Sequence, residues 1–240
     1  MYLENVSLDA LEPDVVGRFW EALLGGTTLV DGPDAFETRL APRDGPVLDV
    51  CVQRVPEPPA EPLRLHLDVS GGTRQAEVVE QALALGARHL DIGQGDVPWV
   101  VLADPEGNPF CVMEARAEYA VSGPIAALPL DSADPVRDAA FWAELSGWVP
   151  VASSPLVALR HPSGRGPLLE LCPEPLPKGG GKNRIHLDIR LEGGDDPDAV
   201  LRRVLELGGR ELHPDWGELP WTVVVDPSGN ELCLLAARPS

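Results

Sequence analysis

The chain is written twice, and that repeat limits its fold more than any other feature. Phe19-Trp20 returns as Phe141-Trp142. Leu8-Asp9-Ala10 ahead of Glu12-Pro13 returns as Leu130-Asp131-Ser132 ahead of Asp134-Pro135, and Cys51 returns as Cys172. Arg64-Leu65-His66-Leu67-Asp68-Val69 returns as Arg184-Ile185-His186-Leu187-Asp188-Ile189. Leu85-Gly86, Pro98-Trp99, Asp104-Pro105-Glu106-Gly107-Asn108 and Cys111 return as Leu207-Gly208, Pro220-Trp221, Asp226-Pro227-Ser228-Gly229-Asn230 and Cys233. The anchors keep one order, so the 240 residues divide into two domains, 1–117 and 122–240, around a short link at 115–124.

Each half divides again. A strand at 3–8 leads to a helix begun by Glu12-Pro13, where proline costs no hydrogen bond, and ended by Gly25-Gly26. Val15, Val16, Phe19, Ala22 and Leu23 recur at helical spacing. Strands follow at 27–30, 35–40 and 47–52. After a proline-rich link at 56–62, the order repeats: a strand at 63–69, a helix at 74–85 with Val79, Ala82 and Leu83 inward, and strands near 89–92, 99–103 and 110–114. The turn at 104–108 has Asp first, Pro to preset φ, and Gly or Asn for positive φ. The order βαβββ thus occurs twice per half and four times per chain.

Composition excludes several functions. Acidic residues number 38 against 19 basic ones, a formal net charge of −19. A nucleic acid or an anionic membrane would be repelled over most of such a surface. No apolar run approaches the roughly 20 residues that span a bilayer, and the opening MYLENVSLDA has no secretory pattern. The four cysteines lie far apart, forming neither a disulfide framework nor a CxxC zinc pattern. A cytoplasmic protein with free thiols is the expectation. Phosphate-loop, dinucleotide, HExxH and Ser–His–Asp elbow patterns do not occur.

The strand followed by a Phe-Trp helix ending in Gly, the His-Leu-Asp strand and the Asp-Pro-x-Gly-Asn turn together resemble the vicinal oxygen chelate superfamily, the glyoxalase, bleomycin-resistance and extradiol-dioxygenase group. The "NRxHLD" and "DPxGNxxC" runs resemble its glyoxalase-like domain proteins, in two copies over nearly the whole chain. The resemblance implies an α+β fold: four βαβββ modules paired into two bowl-shaped mixed sheets flanked by helices. Each domain is expected to enclose one bowl, with exchange of modules between halves or chains left open by the sequence. The resemblance also implies a small-molecule ligand in the bowl and a divalent ion held by first- and last-strand side chains (Zn, Ni, Mn or Fe); the short link at 115–124 adds self-association by exchanged modules as an expectation.

The ion-binding positions of the resemblance fall on Asn5, Asp49 or Cys51, His66 and Cys111 in the first half. In the second half they fall on Ala127, Glu170 or Cys172, His186 and Cys233. Cysteine stands where the family has glutamate, and Ala127 binds nothing. This broken set favours no ion; of the weak metal candidates we retain His66, Cys111, His186 and Glu170.

His66 and Asp68, like His186 and Asp188, are two residues apart on a strand and face one side. Each pair is either catalytic, an imidazole with a carboxylate beside it, or a satisfied structural pair. Cys111 and Cys233 are ligand-binding candidates or small buried hydrophobes; a thiolate beside histidine favours Zn²⁺ over Mg²⁺ or Mn²⁺. Trp99 and Trp221 offer flat walls for a planar ligand, or plug the core. Trp20 and Trp142 pack the core, Asp104, Asn108, Asp226 and Asn230 form turns, and His89, His161 and His213 lie at the surface. Two functions follow: a lyase or isomerase acting through a divalent ion, or a metal-free binding protein of the drug-resistance type. A decayed scaffold is a third.

Overall fold

A computed structural model describes residues 1–57, 62–152, 154–214 and 219–238. The expected link at 56–62 therefore lies partly outside the described residues. Module 1 comprises β1 (Tyr2–Ala10), α1 (Pro13–Leu24), β2 (Thr27–Asp31), β3 (Ala35–Leu40) and β4 (Leu48–Arg54). Module 2 comprises β5 (Asp68–Gly72), α2 (Gln75–Ala84), β6 (Arg88–His89), β7 (Val100–Ala103) and β8 (Pro109–Glu114). Module 3 comprises β9 (Ile125–Ser132), α3 (Pro135–Ser146), β10 (Val149–Pro150), β11 (Val157–Arg160) and β12 (Leu168–Pro173). Module 4 comprises β13 (Ile185–Arg190), α4 (Pro197–Glu206), β14 (Arg210–Leu212), β15 (Trp221–Val225) and β16 (Glu231–Leu235).

The strands form two eight-stranded sheets, in the orders β14-β15-β16-β13-β1-β4-β3-β2 and β10-β11-β12-β9-β5-β8-β7-β6. Within each module the first strand runs parallel to the last, and the other pairings are antiparallel. The sheets are seamed by antiparallel pairing of two first strands, β1 with β13 and β5 with β9. The expectation that each domain encloses its own bowl is therefore corrected in favour of the exchange between halves that the sequence left open. Bowl A joins modules 1 and 4, bowl B joins modules 2 and 3, and each draws one module from either half. The physical reason is that a first strand pairs on one side with its own module's last strand. Its other side is left for a foreign first strand, and an unpaired edge at a sheet centre would strand its backbone polar groups.

The shared motifs are the joints of this exchange. Arg64 Nε donates to Asn230 Oδ1 at 3.0 Å, and Arg184 Nη1 donates to Asn108 Oδ1 at 2.9 Å. The arginine before each His-x-Asp run thus grips the asparagine of the other half's turn. Within the turns, Asp104 Oδ1 accepts from the backbone of Glu106 and Asn108, and Asp226 Oδ1 from that of Ser228 and Asn230.

Strand parity sends Val6, Leu8, Leu67, Leu130, Leu187 and Leu232 to one continuous core shared by all four modules. Trp20 and Trp142 belong to it and are wholly buried. Trp20 packs edge-on to Phe110, and Trp142 Nε1 donates to Asp226 at 3.2 Å. On α1 the inward stripe is Val16, Phe19, Trp20, Leu23 and Leu24, while Val15 and Ala22 face outward. Gly25, at φ 73°, closes the helix with its N–H on Glu21 O. On α2 only Ala82 is fully buried, with Val79 and Leu83 partly so.

One local expectation differs. The strand at 63–69 contracts to β5, so His66 lies just outside it, whereas His186 lies within β13. Pro129 faces His66 where Ser7 faces His186. Proline has no N–H to give, so the ladder breaks there: His66 N still donates to Pro129 O, with no reciprocal bond.

Candidate functional site

The same parity that buries Val6 and Leu187 points Asn5, Ser7, His186 and Asp188 to the concave side of bowl A. Cys233 joins them because it lies level with Asp188 on the parallel neighbour β16. Asp188 Oδ2 accepts from Asn5 Nδ2 at 2.9 Å and from Ser7 Oγ at 2.7 Å. Its Oδ1 lies 3.4 Å from His186 Nε2 and has no hydrogen-bond partner. Cys233 Sγ lies 3.6 Å from the same Nε2. Above these groups opens a cavity of about 380 Å³, with Trp221, Glu37 and Arg238 in its wall. Burial and the neighbouring Asp49 push the Glu37 carboxyl up. Asp49 itself is gripped by Arg39 at 2.8 and 2.6 Å.

Bowl B has the same three groups with a different surround. His66 Nε2 lies 3.3 Å from Asp68 Oδ1, which likewise lacks a hydrogen-bond partner, and Cys111 is level with Asp68 on β8. In each bowl the His, Asp and Cys ligand atoms lie within 4.8 Å of one another. The seam register makes Ala127 and Pro129 the counterparts of Asn5 and Ser7, so Asp68 receives neither of those two bonds. The β-ladders also place Glu170 level with Pro129 and Ala158, as Cys51 is level with Ser7 and Glu37. Glu170 is thus the counterpart of Cys51, and the sequence pairing of Cys51 with Cys172 is corrected. Module 3 runs three residues shorter than module 1 between these strands, Pro129 to Glu170 against Ser7 to Cys51, and Cys172 matched only because it lies two residues further on. Burial, then Asp68 nearby, pushes the Glu170 carboxyl up to about 7.

The expected groups are therefore brought together in part. His66, Asp68 and Cys111 meet in one bowl, and His186, Asp188 and Cys233 in the other; no pair crosses between bowls. Trp221 lines the bowl A cavity, while Trp99 sits at the bowl B rim with its Nε1 on Gln94 Oε1 at 2.8 Å. Burial and the adjacent aspartates push the thiols of Cys111 and Cys233 far up, and burial, the largest cause, with nearby carboxylates takes Cys51 to about 12. Thiols held neutral in this way are poor nucleophiles.

An ion of the zinc type demands a particular spacing of these donors. Bonds of about 2.0 Å to N or O and 2.3 Å to S put neighbouring ligands of a tetrahedron about 3.3–3.6 Å apart. The 3.4 and 3.6 Å separations in bowl A match this, and a buried carboxylate oxygen with no donor faces the gap. A cation would also lower a raised thiol pKa. Against the fit, His186 Nδ1 has no partner, whereas metal-bound imidazoles normally donate from the second nitrogen. The three residues fit the group.

Sequence reasoning missed Tyr119, Arg116 and Ser7. Tyr119 lies on a 3-10 turn, Ala117–Tyr119, in the link between the halves; it is 9% exposed, and its hydroxyl donates to Glu170 Oε1 at 3.2 Å. The available signal was an aromatic residue in a link otherwise made of small and polar side chains. Ser7 had one as well: parity sets it on Asn5's face of the strand.

Two seamed pairs of βαβββ modules, with His, Asp and Cys side chains brought together from first and last strands in each, define a bowl-forming α+β class. The model of the glyoxalase-like domain matches residues 5–113 and again 127–235. The chain belongs to that family, in tandem copies. Glyoxalase I from Zea mays is similar in structure, with a TM-score of 0.68 at 17% identity over 98% of this chain and 92% of that one. A putative dioxygenase from Bacillus subtilis subsp. subtilis str. 168 gives a TM-score of 0.60 at 14% identity over 100% of this chain and 86% of that one. At such identities the likeness establishes the fold. No curated protein matches the chain in sequence. No helix among the described residues is long and apolar enough to cross a membrane.

Proposed function

We propose that bowl A binds a small organic molecule over a His186–Asp188–Cys233 centre and acts on it as a lyase or isomerase. The observation that carries this reading is the unpartnered Asp188 Oδ1, set 3.4 Å from His186 Nε2 at the floor of an open cavity. His186 Nε2, Asp188 Oδ1 and Cys233 Sγ would hold the ion. When bound, it supplies Lewis-acid polarisation of two neighbouring substrate oxygens. Asn5 and Ser7 fix the Asp188 carboxylate from behind, and Trp221 gives a flat apolar wall. Glu37, raised by burial and facing the cavity, is placed to hold or release a proton at its carboxyl.

The test is metal content of protein purified without chelators, then Co²⁺ titration followed by absorbance. A thiolate-to-cobalt band lost in Cys233→Ser and kept in Cys111→Ser supports the reading. No bound ion, and no melting shift with any divalent ion, overturns it.

One observation favours a metal-free binding protein instead. The Cys233 thiol is held neutral, and 3.6 Å from His186 Nε2 is a separation at which S–H donates to nitrogen unaided. On that reading, compounds shift the melting point and quench Trp221 with all ions removed.

A further inference from the structure

We infer that bowl B is a phenol site which the chain fills with its own Tyr119, leaving bowl A alone open to a free ligand. Tyr119 belongs to one buried apolar cluster with Cys111, Met113, Ala127, Ala158 and Leu168, against which Trp99 packs. Its hydroxyl donates to the Glu170 carboxyl, and the Arg116 guanidinium lies 5.6 Å from its centroid and 5.5 Å from that of Trp99. This is how a pocket grips a phenol: an acceptor at the base for the hydroxyl, a cation over the ring face, and small apolar walls.

A comparison within the chain separates a built site from incidental packing. Bowl A has Asn5, Ser7, Glu37 and Cys51 where bowl B has Ala127, Pro129, Ala158 and Glu170. Three of these exchanges remove polar groups, and two of those, to alanine, clear space for a ring. The fourth, Cys51 to Glu170, adds the one acceptor the hydroxyl uses. A tethered ring competes at millimolar or higher effective concentration, so a free phenol enters only when Tyr119 is removed.

Methionine occurs only at positions 1 and 113, so ¹³C-methyl NMR of methionine reports on bowl B through Met113 without interference from bowl A. In Tyr119→Ala, millimolar p-cresol should move the Met113 signal saturably and raise the melting temperature. Toluene, lacking only the hydroxyl, should bind at least about ten-fold more weakly, since the Glu170 acceptor supplies the difference. In the unaltered protein neither compound should move Met113. Equal binding of p-cresol and toluene would reduce bowl B to a plain apolar cavity and overturn the assignment. So would a Met113 signal unmoved in the variant, or one moved in the unaltered protein. If Tyr119→Ala does not fold, Tyr119→Val is read by the same outcomes.

Discussion

Asn5 and Asp188 stand 183 residues apart in sequence and are joined by a 2.9 Å hydrogen bond across the seam of bowl A. With the Ser7 bond to the same oxygen, it ties a first-half strand to a second-half carboxylate at the candidate centre.

If that carboxylate holds an ion, loss of its support should show. Asn5→Ala should weaken Zn²⁺ or Co²⁺ binding about 10- to 100-fold. It should also cost about 1–2 kcal/mol of stability in urea, from one lost hydrogen bond to a buried charge. Unchanged affinity by calorimetry would detach Asn5 from the site.

The seams make the halves interdependent. Residues 1–117 expressed alone would leave β1 and β5 each without its cross-seam partner. That half should self-associate, and co-expression with 122–240 should recover a one-to-one complex by light scattering. A folded, monomeric first half would contradict the pairing.

Glu170 sets a pH dependence. Its folded pKa, about 7, lies above the ordinary 4.5, so the folded state binds the proton more tightly than the unfolded one. Stability from this group is fully present below pH 4.5 and falls as pH rises to 7, by up to about 3 kcal/mol. Urea unfolding of chelator-treated protein at pH 5 and pH 7.5 should show the fall, and Glu170→Gln should flatten it.

Gly17→Ala pits helix propensity against packing. Alanine gains about 1 kcal/mol over glycine within a helix. Here the added Cβ would meet the ring of Phe36, itself fully buried, at 2.2 Å. Overpacking of that kind costs about 1–3 kcal/mol. The variant should therefore melt lower; a higher melting point would mean that Phe36 can move aside.

The sequence alone determined the four βαβββ modules, the wholly buried Trp20 and Trp142, the turn-forming Asp104 and Asp226, and the common face of each His-x-Asp pair. These follow from local chemistry: period-two and helical spacing, proline and glycine at fixed turns, and a repeat legible without coordinates. Tertiary structure decided which modules share a bowl, because first strands pair across a seam that no local signal marks. It also decided that Cys111 and Cys233 join their His-x-Asp pairs, since parallel register between distant strands sets that meeting. It made Glu170 the counterpart of Cys51 and brought Tyr119 onto it. The repeat made the bowls look alike; Pro129, Ala127 and Ala158 made them differ, through a lost ladder bond and a space large enough for a ring.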